Sequence, residues 1–114
     1  MLVKTFGSAV YGVEAINITI EVNVSMGQGY HIVGLPDNAV KESMHRVESS
    51  ILYCGWRMPR QKIVVNLAPA DIKKEGSAYD LPIAIGILAA SRQVSNEKLS
   101  KFLIKLGISN HQSA

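Results

Sequence analysis

Cysteine is nearly absent from this chain. Cys54 stands alone among 114 residues, which excludes an internal disulfide and fits a reducing compartment. No apolar run approaches the ~20 residues that a membrane helix requires, so no membrane partner is expected. The opening Met1-Leu2-Val3-Lys4-Thr5 lacks the apolar core of a secretory signal, and a cytoplasmic protein is expected. A glycine-rich loop ending in Lys-Ser or Lys-Thr, needed to wrap nucleotide phosphates, is missing too. Gly27-Gln28-Gly29 reads as a turn, and Gly76-Ser77 lacks the lysine, so this stretch is expected to hold no ATP and no other cofactor. Three histidines, His31, His45 and His111, lie far apart and offer no metal-ligand spacing beside one cysteine. No repeat or low-complexity tract is present.

What remains is the composition of one globular domain. Hydrophobic residues make up 47% and charged residues 18%. The formal net charge of +3 is mild; it permits contact with nucleic acid without demanding it.

Periodicity supplies the elements. Residues 2–10 suggest a first strand running toward Gly12, and residues 13–24 a second. From Ile16 through Ile18, Ile20, Val22 and Val24 the apolar set keeps strict period two, the mark of a strand with one buried face. Ser25 to Gly29 is a turn, and Tyr30 to Gly34 reads as a third strand returning antiparallel. Leu35-Pro36-Asp37 opens a helix with Asp37 as its expected cap. Val40, Met44, Val47, Ile51 and Cys54 then mark an apolar face that ends at Gly55, with Cys54 expected in the core. Lys41, Glu42, His45, Arg46, Glu48 and Ser49 fall on the wet side. Lys62 to Leu67 reads as a strand buried on both faces. A polar loop from Ala68 to Tyr79 leads to an apolar helix over 81–92, with Asp80 as its expected cap and Pro82 in its first turn. A short helix from Ser95 and a strand over 102–108 complete the reading. One sheet with helices packed on a face satisfies this order, an α/β (α+β) domain.

Chemistry is sparse. Ser77 precedes a helix, where helix N–H groups and a neighbouring base could make it a nucleophile, yet no partner base can be named. Ordinary loop hydrogen bonding explains it as well. The strongest binding candidates are the basic residues Arg57, Arg60 and Lys62 beside Trp56, and Lys73 with Lys74 after the next strand. A strand separates the two groups, so they need not form one patch. A solvated surface is the plain alternative. Trp56 fits a core or edge anchor better than a stacking platform.

Two long motifs stand out. One is Gly34-Leu35-Pro36-Asp37-Asn38-Ala39-Val40-Lys41-Glu42-Ser43, followed by Arg46-Val47. The other runs from Asn66 through Pro69, Asp71, Gly76 and Asp80 to Pro82-Ile83-Ala84. With Ser8 to Ala15, they resemble the amino-terminal domain of the magnesium-chelatase-like ComM/YifB family, over roughly residues 5–100. The resemblance implies a fold similar to the Lon proteolytic domain, the ribosomal protein S5 domain 2-like fold. Lon's serine segment, laid on Lys74 to Asp80, puts the nucleophile at Ala78, with Ser77 one residue early and the partner lysine past residue 114. Proteolysis is therefore not carried over, and a peptidase remnant using Ser77 stays the enzymatic alternative. In the family an AAA+ module holds ATP and Mg²⁺, and the parent resembles hexameric helicases of branch migration and transformation. The resemblance thus implies a non-catalytic domain, over residues 1–109, that assists DNA binding or assembly of a homo-oligomeric ring. A purely structural oligomerisation module is the other alternative. The family domain continues past residue 108, so a C-terminally truncated domain with a disordered tail at 110–114 is expected.

Overall fold

Alternation along the chain becomes two faces of one sheet. The structure, a computed structural model, describes residues 1–69, 74 and 77–92. Strands β1 (Leu2–Tyr11) and β2 (Glu14–Ser25) form an antiparallel hairpin, in register from Leu2 opposite Asn23 to Tyr11 opposite Glu14. β3 (Tyr30–Val33) and helix α1 (Asp37–Tyr53) lead to β4 (Lys62–Ala68), and α2 (Asp80–Ala90) follows. The sheet order is β1-β2-β4-β3. β4 runs antiparallel to β2 and parallel to β3.

The third strand does run opposite to β2, as its sequence suggests, but it does not pair with it. β4 lies between them. Length explains the choice: β3 has four residues, whereas β4 offers seven to the twelve of β2. A central strand also satisfies its backbone groups on both sides. Helix α1 carries the chain across, as a parallel pair requires.

On one face Ile18, Ile20, Val22 and Val24 of β2, Ile63, Val65 and Leu67 of β4, and Ile32 of β3 are buried. Met44, Val47 and Ile51 of α1 and Ile83, Ile87 and Leu88 of α2 complete the same core. The other face stays open, with Asn66, His31 and Val33 exposed and Val64 half-buried. β4 is thus buried on one face rather than both, because both helices contribute to a single core on one side. α2 lies over β1 and β2, with α1 beside it.

Both expected caps need correction. The N-cap of α1 is Pro36, without a side-chain cap, and Asp37 is the first helical residue, where its charge complements the helix dipole. Tyr79 occupies the N-cap of α2, and Asp80 lies within the first turn. The end of α1 follows the expected stop. The N–H of Gly55 donates to the Leu52 carbonyl and that of Trp56 to Ile51, closing the last turn. Trp56 then packs against the core while Cys54 is left exposed. The cysteine belongs to the apolar stripe only if the helix continues, and it stops at Tyr53. The short helix from Ser95, the strand over 102–108 and the tail at 110–114 lie outside the described residues.

Two glycines allow the layers to approach. A Cβ on Gly34, at φ +107°, would sit 2.6 Å from the Leu67 carbonyl oxygen, so the β3–α1 corner closes directly over β4. A Cβ on Gly86 would meet Val22 Cγ2 at 2.5 Å and Val22 Cβ at 3.1 Å. Alanine at position 86 gains about 1 kcal/mol of helix propensity. Overpacking against a stiff β-branched neighbour costs about 1–3 kcal/mol, which wins. Gly86→Ala is therefore expected to lower stability in urea unfolding, and Val22→Ala in the same chain to recover part of the loss.

Candidate functional site

The two long sequence motifs meet in space. Ser43 Oγ donates to Asp80 Oδ1 at 2.9 Å, and Arg46 Nε donates to Oδ2 at 2.5 Å. Arg46 Nη2 adds a longer bond to Oδ1, at 3.3 Å. Asp80 is thus neither cap nor free acid; it clasps α2 to α1 with both carboxylate oxygens engaged. The Asp80 side chain is 16% exposed and Arg46 39%, so the pair is shielded on the aspartate side. That hydrogen bond raises the Arg46 pKa further, against a smaller cost of burial. Arg46 therefore belongs to the helix interface and not to the wet side of α1, and Ser43 is buried with it.

Among the described residues, further motif positions also build structure. Leu35 packs against the core, and the Pro36 carbonyl accepts from the N–H groups of Ala39 and Val40. Thr5 Oγ1 donates to the Pro82 carbonyl at 2.9 Å, tying β1 to the start of α2. Asn66 is exposed on the open face of the sheet. Asp71 and Gly76 lie outside the described residues.

The basic candidates divide. Arg57, Arg60 and Lys62 are exposed. Lys62 opens β4 opposite Ser25, and its stem lies against Gly27 in the β2–β3 turn. Arg60 shares a cleft of about 330 Å³ with Gln28, Gly29 and Tyr30 of the same turn. Lys74 is a correction. It is 1% exposed, and its ammonium donates to the Pro69 carbonyl, so it presents no charge at the surface. The contact ties Lys74 to Pro69 just after β4, an environment that sequence pattern does not signal. Lys73 lies outside the described residues.

Ser77 is exposed in the turn before α2, where its carbonyl accepts from the Asp80 N–H. Tyr79 is buried with its ring against Gly7, and burial raises its phenol pKa. Sequence reading missed Ser43, Arg46 and Tyr79 because their partners are distant along the chain; Arg46 and Asp80 are 34 residues apart.

These contacts predict a stability order. Asp80→Asn removes the charge from all three bonds and should lower the urea midpoint more than Ser43→Ala, which loses one bond worth about 1–2 kcal/mol. Equal effects would contradict the clasp. A raised Tyr79 pKa means that the folded state holds its proton longer, a contribution fully present below the unfolded value near ~10. It is lost as pH rises toward the folded pKa. Alkaline melting should therefore be steeper for the parent chain than for Tyr79→Phe.

Comparison with known proteins accords with the motif geometry. Residues 20–111 match the family described as subunit ChlI of Mg-chelatase. The uncharacterized protein YifB of Escherichia coli is 52% identical over 95 residues, 82% of this chain and 19% of that protein. Competence protein ComM of Haemophilus influenzae is 48% identical over 102 residues, 89% of this chain and 20% of that protein. An uncharacterized protein of Mycobacterium tuberculosis is 36% identical over 102 residues, again 89% of this chain. The chain spans about a fifth of the length of these relatives. With motifs, interlocking contacts and relatives in agreement, the chain belongs to the magnesium-chelatase ChlI-like family that includes YifB and ComM.

Proposed function

We propose that this chain is a non-catalytic scaffold domain of a magnesium-chelatase-like ATPase, and that it gives the motor a DNA contact through Arg57, Arg60 and Lys62. The observation that carries the reading is the grouping of these exposed cations in and beside the short connection between α1 and β4. Phosphates bind such a group by direct attraction and by release of counterions. Similarity to a protein named for competence is in keeping with a role in transformation, and the family resemblance implies that the role is on DNA, in branch migration. The parent assembles as a ring of identical copies, and this domain holds its cations to the strand that the ring encloses.

ATP and Mg²⁺ belong to the ATPase module that the resemblance implies. The residues of this chain do not fit them: no glycine-rich loop ends in Lys-Ser or Lys-Thr. No hydrolytic step is assigned to it. Ser77 gains no support as a nucleophile from Lys74, whose ammonium donates to the Pro69 carbonyl.

Fluorescence anisotropy against labelled DNA over a salt series tests the contact. The parent chain should bind at low salt, with log affinity falling linearly against log salt. Replacing Arg57, Arg60 and Lys62 together by Glu should flatten that slope by about 2–3, near 0.7–0.9 for each phosphate that is no longer neutralised. Absence of binding at low salt, or a slope indifferent to the triple change, would remove DNA from the account.

A further inference from the structure

We infer that Tyr30 is the stacking platform of a single-stranded nucleic-acid subsite, seated in two adjoining clefts, one along α1 and one between α1 and the β2–β3 turn. The inference rests on the DNA reading above and narrows it to one class of ligand and one place.

Tyr30 opens β3 opposite Ile63, at the free edge of the described sheet, and is 42% exposed. Tyr30 lines both clefts. One, about 330 Å³, also holds Gln28, Arg60 and Gln61, with Met58 and Pro59 as an apolar lining. The other, about 490 Å³, runs along α1 past Lys41, Met44 and His45. Each volume lies within the range of small-ligand pockets and can take one base. Glu48 lines both clefts alongside Tyr30.

Chemistry sorts the parts of a strand among these groups. An aromatic face accepts any base by stacking, and cations beside it track the backbone. Here cations lie in both clefts, Arg60 in the first and Lys41 in the second. The Arg46 guanidinium in the second cleft is already held by Asp80. Glu42 and Glu48 repel phosphate, but a carboxylate can accept a hydrogen bond from an exocyclic base amine. Glu48 therefore favours a base at the junction and a phosphate outside it. The Gln28 and Gln61 amides can donate and accept at base edges. A duplex keeps its bases paired and stacked and cannot place one in either cleft, so the geometry selects an unpaired strand.

The test compares a fluorescein-labelled single-stranded oligonucleotide of mixed sequence with its duplex, by anisotropy at low salt. The single strand should bind more tightly. Tyr30→Leu should weaken its binding roughly 10-fold, while Tyr30→Phe keeps parental affinity because the ring face is retained. Gln61→Ala, at an exposed position, should weaken it a few-fold, and circular dichroism confirms that each variant is folded. If Tyr30→Leu and Gln61→Ala both bind as the parent does while the triple Glu variant fails, the cleft is wrong and the DNA contact stands. If the parent binds neither strand nor duplex, both readings fall together.

Discussion

Asp80 brings a negative charge into the first turn of α2, and Ser43 and Arg46 of α1 converge on it. A carboxylate in so shielded a place needs partners, because an unpaired charge there would cost several kcal/mol. Meeting that need fixes how the two helices lie side by side. α1 is the crossover between the parallel strands β3 and β4, so its placement also fixes where the chain enters β4. The connection carrying Arg57 and Arg60, which runs into Lys62 at the start of β4, is the far end of that crossover. Helix pairing at one end and surface charge at the other are thus consequences of one geometry.

Much of this fold is written in short-range pattern. Ile18 to Val24 alternate in sequence and in burial, and Met44, Val47 and Ile51 form the buried stripe that their spacing announces. Gly55 ends α1 as its local chemistry requires. What escapes a local reading depends on partners far along the chain. Insertion of β4 between β2 and β3 is decided by strand length and by the crossover, not by any residue near Ser25. The roles of Asp80 and Arg46 appear only when α1 meets α2. Lys74 is the plainest case: flanking charges suggest a wet loop, yet its ammonium turns inward to the Pro69 carbonyl. Cys54 misleads for the opposite reason, since its stripe is real but the helix ends one residue before it.

The family motifs gain a physical meaning from these contacts. Gly34 is where the corner before α1 presses on Leu67, a place that admits no side chain. Ser43 and Arg46 in the first segment hold Asp80 in the second. Pro82 receives Thr5 from β1. Each of these motif contacts joins one element to another. Motifs that serve as internal joints are in keeping with the scaffold role proposed for this domain.

Hydrogen exchange, followed peptide by peptide with and without a single-stranded oligonucleotide, tests the central claim most directly. Slowed exchange should fall on the β2–β3 turn with Tyr30, the stretch of α1 that lines the cleft and the connection from Trp56 to Lys62, with the Asp80 end of α2 unchanged. Protection centred on the turn at Ser77 to Tyr79, or on the open face of the sheet, would contradict the account.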